Sequence, residues 1–115
     1  MFTLIINIEA NEGNVSDFLE GMKENAAYII KNFKGCIEYD FYLDKESNVG
    51  EGESEYFELS LPKARHNIIT VIEKWETSDD YDAYLRSDFA KSMTLEKKKF
   101  FDNSKWSLRG LKNAF

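Results

Sequence analysis

Residues 2–9, FTLIINIE, alternate: Phe2, Leu4, Ile6 and Ile8 fall on one side of an extended chain, and Thr3, Ile5, Asn7 and Glu9 on the other. This predicts a first strand. Gly13 and Asn14 end it, and from Val15 the period lengthens. Phe18, Leu19, Met22, Ala26, Ile29 and Phe33 then recur at steps of three and four, the stripe of an amphipathic helix. Gly35 can take the left-handed backbone of a helix end, and CIEYDFYL resumes the alternation over Cys36–Leu43. NIITVIEKW, residues 67–75, is a nearly continuous apolar run of the kind found in a strand covered on both faces, and is expected at the centre of the sheet. Thr77 caps the next helix, with Asp79 and Asp80 in its first turn; Ser87 and Asp88 interrupt it, and a second segment is expected to run to about Phe101. KWSLRGLKNAF closes the chain as a weak last strand.

Residues 44–66, DKESNVGEGESEYFELSLPKARH, begin as an acidic, Gly-containing loop and include YFELSL, a short alternating stretch ending at Pro62. They read as a long hairpin arm. The order strand, helix, strand, strand, helix, strand predicts an α+β fold, a ferredoxin-like βαββαβ antiparallel sheet with helices on one face. With no repeat and no low-complexity stretch, residues 1–115 read as one domain. Strands one and three carry apolar side chains on both sides, so the face away from the helices needs a cover, and a second copy of the chain is the simplest one.

Composition then narrows the partners. A chain of 115 residues that is 43% apolar, with 9 Phe, 6 Tyr and 2 Trp, can fill one modest core. A net charge of −6 argues against nucleic acid, whose binding rests on clustered Lys and Arg. Lys97, Lys98 and Lys99 form the one basic run, late in a predicted helix where cations suit the dipole. The lone Cys36 and lone His66 cannot make an internal disulfide or a thiolate–imidazole zinc site, which fits a reducing compartment. The N-terminal MFTLIINIEANEG lacks a basic leader and meets acidic residues within ten positions, so it reads as neither a signal peptide nor a membrane span. A cytoplasmic protein is expected.

FKGCIEYDFY followed by IEKWETSDDYDAYLRSDFAKS resembles the antibiotic biosynthesis monooxygenase family, over roughly residues 2–101. The resemblance rests on a helix ending in a Gly-Cys turn, Tyr39 on the second strand, the Glu73–Glu76 run around Trp75, and a two-part helix after it. It implies a dimeric α+β barrel. In the monooxygenase branches it implies an enzyme using neither metal nor flavin, in which an ionised phenol or quinol reduces dioxygen directly. The protein would then bind a flat aromatic substrate, hydrogen-bond its oxygens and exclude water. Because the fold hosts several activities, a non-catalytic dimeric ligand-binding module of the same fold is the alternative.

On that resemblance Trp75, and Tyr81 six positions later, match a tryptophan and tyrosine that face substrate in the polyketide-oxidising branch. Each also reads as core. Asn7 interrupts an apolar strand and is either a donor to a substrate oxygen or an amide bonded to a neighbouring side chain. Tyr84 and Phe89 stand where quinol-oxidising relatives carry histidines; Tyr84 can donate a hydrogen bond but is a poor base at neutral pH. The expected catalytic set is Asn7, Trp75, Tyr81 and Tyr84, with Tyr28, Phe33, Phe89 and Met93 lining the substrate. His66 and Glu73 are the candidate bases, His66 reading better as a loop residue. Val71 replaces an asparagine of the polyketide branch, and Thr94 stands nearest to the axial histidine of the haem-degrading branch.

Overall fold

The computed structural model describes residues 1–11, 13–45 and 64–115. The expected arm strand YFELSL and Pro62 lie outside the described residues. Strand β1 is Phe2–Ala10, helix α1 Val15–Asn32, β2 Cys36–Leu43, β3 Ile68–Trp75, α2 Ser78–Leu85, α3 Asp88–Lys97 and β4 Phe101–Lys112, with one 3-10 turn at Lys98–Phe100. The strands form one antiparallel sheet in the order β2-β3-β1-β4, the ferredoxin-like arrangement, with β3 central as its apolar run predicts.

The punctuation works as the residue types require. Gly35 has φ +87°, and its carbonyl accepts from the backbone N–H of Glu76 at 2.8 Å, tying the end of α1 to the end of β3. The Thr77 hydroxyl accepts from the Asp80 N–H at 3.1 Å and the Ser87 hydroxyl from the Ala90 N–H at 3.1 Å, so two successive side-chain caps divide the helical stretch into α2 and α3. The second segment stops at Lys97 instead of running to Phe101, because Phe101 pairs with Ala10 and starts β4. The last strand is therefore the longest of the four, at 12 residues.

Register decides which residues share a face. Phe2 pairs with Trp75, Leu4 with Glu73, Ile6 with Val71 and Ile8 with Ile69, and across the other edge of β3 Tyr39 meets Glu73 and Phe41 meets Val71. These positions look toward Phe18, Met22, Ala26 and Ile29 of α1 and toward Tyr84 and Ala90, and together they form the core. The opposite face is less apolar than the sequence suggests. Ile5, Ile72, Tyr42 and Leu111 share it with Thr3, Asn7, Thr70, Lys74, Ser107 and Arg109, and Lys74 pairs with Glu38 at 3.6 Å.

Candidate functional site

At the end of the sheet where β3 passes into α2, the aromatic residues pack on one another. Trp75 is fully buried, with ring centroids 5.5 Å from Tyr81 and 5.2 Å from Tyr84. Phe2 meets Tyr81 edge-on at 5.8 Å and Phe33 meets Tyr84 at 5.1 Å. The indole N–H of Trp75 donates to Glu73 Oε1 at 3.0 Å, so this donor is already engaged by a buried carboxyl. Burial raises the Glu73 pKa to about 7, against the opposing pull of that hydrogen bond. Burial, followed by the Glu73 charge, pushes the Tyr81 phenol up to about 12 and the Cys36 thiol to about 11. Tyr39 and Tyr84, whose hydroxyls lie within hydrogen-bonding reach of each other, are also held above the usual phenol range, mainly by burial. These phenols stay neutral at physiological pH and can donate hydrogen bonds, but cannot take protons.

Asn7 does not join them. It pairs with Thr70 on the opposite face of the sheet. Its carbonyl accepts from the Thr70 hydroxyl at 2.7 Å, and its amide nitrogen lies 3.4 Å from the Ser107 hydroxyl, a polar link across three strands. Within one chain, the expected pocket shared by Asn7, Trp75 and Tyr84 is ruled out by register. Tyr28 stacks on Phe89 at 4.4 Å, and Phe33 packs against both rings, a cluster between α1 and α3 in which Tyr28 is 47% exposed. His66 lies exposed in the turn before β3.

A recess lies further along the same face. A cavity of about 70 Å³ sits between the sheet and the helices, over Ile6, Ile8 and Val71. Phe18 and Met22 of α1 close one side, with Phe18 set edge-on to Phe41, Phe100 and Phe101 at 5.9–6.3 Å. Tyr39 and Phe41 of β2 and Trp106 of β4 wall the ends. Helix α3 supplies the remaining side with Met93, Thr94 and Lys97. Polar groups are few in this lining: the Tyr39 phenol, the Thr94 hydroxyl, which itself donates to the Ala90 carbonyl at 2.9 Å, and Lys97. An apolar recess with a few convergent polar groups is the usual form of a small-molecule site. Among the described residues no three His, Cys, Asp or Glu side chains converge as a metal site, and no helix is long and apolar enough to cross a membrane.

Residues 1–50 match the family model for antibiotic biosynthesis monooxygenase. A candidate member of that family from Caulobacter crescentus superposes with a TM-score of 0.71 at 13% identity, covering 99% of this chain and 90% of that one. The family match covers 50 of the 115 residues, and over the rest of the chain the likeness is one of fold. A candidate family member from Nitrosomonas europaea superposes with a TM-score of 0.71 at 11% identity over 100% of both chains. A protein of unknown function from Bacteroides thetaiotaomicron, noted as a possible oxidoreductase, gives 0.68 at 19% identity over 97% of this chain and 96% of that one. At these identities the likeness concerns the fold alone. A search of curated proteins found no match.

Met93 alone among the eight expected site residues lines the cavity; Trp75, Tyr81 and Tyr84 form the packed cluster beside it. Tyr39, part of the family resemblance, reaches both, belonging to the cavity wall and touching Tyr84. Thr94, at the position nearest to the axial histidine of the haem-degrading branch, also faces the cavity. Sequence reasoning overlooked Lys97, which it assigned to the helix dipole. The signal was present: Ala90, Met93, Thr94 and Lys97 follow the three- and four-residue steps of one helix face, so Lys97 continues an inward stripe.

Proposed function

We propose that this family member is a cytoplasmic, homodimeric monooxygenase that oxidises a flat, electron-rich phenolic or polycyclic molecule with dioxygen, using neither metal nor flavin. The observation that carries this reading is the apolar cavity with Tyr39, Thr94 and Lys97 in its lining, within a domain of a monooxygenase family. For an anthrone-like substrate, a ring CH2 loses a proton to give a carbanion, which adds dioxygen. Protonation gives a hydroperoxide, and loss of water leaves a carbonyl: one CH2 and one O2 become one C=O and one H2O. The lining provides hydrogen-bond donors and a dry environment rather than a base, because burial holds Tyr39 well above its ordinary range. Ionisation then falls to the substrate, and the rate rises with pH.

A cavity of 70 Å³ is small beside the roughly 300–1,000 Å³ of sites that engulf a ligand. Substrate enters as flexible Met93 and the 40% exposed Trp106 at the sheet edge give way. One observation favours the alternative of a non-catalytic binding module: Trp75 and Tyr81, matched to residues that face substrate in the polyketide branch, pack on each other and on Tyr84 here. The two readings separate in an oxygen electrode. A panel of anthrones, dihydroxynaphthalenes and quinols, without added metal or flavin, should include a substrate consumed with one O2 per molecule. Binding of panel members without oxygen uptake would assign the protein to the module reading.

A further inference from the structure

The side chain of Lys97 is only 8% exposed, an unusual position for a lysine. Among the described residues its ion-pair partner is Glu96, 3.8 Å away on a side chain that is 67% exposed, where water screens most of the attraction. The Phe100 ring centroid lies 5.6 Å from the ammonium and adds a weak cation–π contact. The ammonium rests against Gly21 of α1, where a Cβ would collide with it, so α1 lacks a side chain at the one place where Lys97 must lie. A buried charge with so little compensation detracts from folding, and an apolar residue of the same length would fill the space at lower cost. Of the hydroxyls in the cavity wall, that of Thr94 is bonded to the Ala90 carbonyl and that of Tyr39 lies against Tyr84.

We infer that Lys97 is the anion-recognising group of this cavity, and that the ligand is an apolar, flat molecule bearing one anionic oxygen group, a carboxylate or phenolate, which binds the Lys97 ammonium between α1 and α3. The inference rests on the cavity being the ligand site of the proposed function, and it narrows the substrate class from phenolic to anionic. The chain carries a net charge of −6, so a preference for anions requires a local cation. A charge-assisted hydrogen bond in this setting should separate an anion from its neutral analogue by on the order of ten- to a hundredfold in affinity.

Calorimetric titration of the full chain with 2-naphthoate and with neutral 2-naphthamide tests this. The wild-type protein should prefer naphthoate at least about tenfold, and Lys97→Met should abolish that preference while binding naphthamide about as well as wild type. Gly21→Ala provides a second variant: it leaves the charge in place, favours the helix and displaces only the flexible end of Lys97, so the preference should fall several-fold in a folded protein. Equal affinities in the wild type, no binding of naphthoate, or a preference that survives both substitutions overturns the inference. None of these titrations involves oxygen, so a lack of turnover with the anion preference intact would reject the oxidative reading alone.

Discussion

Glu73, a candidate base on its sequence context, is a buried carboxyl that takes part in the packing around Trp75. It is 3% exposed and receives the Trp75 indole N–H at 3.0 Å. The folded state keeps its proton up to about pH 7, whereas the carboxyl's ordinary pKa is 4.5. Between those values the unfolded chain binds fewer protons than the folded one, so stability falls as pH rises through this window. The loss reaches at most about 3 kcal/mol. Glu73→Gln keeps an acceptor for Trp75 and removes the titration. Urea unfolding at pH 5 and pH 8 should show the wild type weaker at pH 8 and the variant nearly indifferent; equal pH dependence in both would place the titrating group elsewhere. Asn7 and Trp75 were misplaced together for a different reason. The two-residue period assigns faces within a strand, but matching faces between strands needs the register, here Phe2 with Trp75 and Asn7 with Thr70.

At the scale of elements most boundaries were legible, because Gly35, Thr77 and Ser87 each act through local backbone chemistry that the residue type dictates. The end of α3 was not. Lys97, Lys98 and Lys99 are good helix formers with no stop signal, and the helix yields only because Phe101 pairs with Ala10 in the sheet. Helix α3 carries Met93, Thr94 and Lys97, so its anchorage fixes one side of the cavity. Ser87 holds it twice, accepting from the Ala90 N–H at 3.1 Å and donating to the Tyr84 carbonyl at 2.6 Å. Ser87→Ala should cost about 1 kcal/mol of stability and weaken naphthoate binding several-fold. Thermal unfolding combined with calorimetry checks both, and full affinity in a destabilised variant would uncouple the cap from the site.

For the whole molecule, Ile5, Ile72, Tyr42 and Leu111 on the sheet face opposite the helices provide apolar surface for a second copy. The Thr70–Asn7–Ser107 link and the Lys74–Glu38 pair on that face would help fix the orientation of a partner. A homodimer burying more than roughly 2,000 Å² in total is expected. Light scattering at micromolar concentration should give twice the 13.4 kDa of the chain, and a monomer would leave this face without its proposed cover.

The proposed function places oxidation in the cavity beneath α3 rather than in the aromatic cluster at Trp75. The most direct measurement is the rate of oxygen uptake with the best substrate of the panel, compared between Met93→Trp, which fills the cavity from a flexible position, and Tyr81→Phe, which alters only the cluster. Met93→Trp should lose at least about tenfold in rate while its thermal unfolding stays near that of the wild type, and Tyr81→Phe should stay within about twofold. A folded Met93→Trp that turns over like the wild type, or a Tyr81→Phe that is inactive, would contradict the account and return the site to the tyrosines.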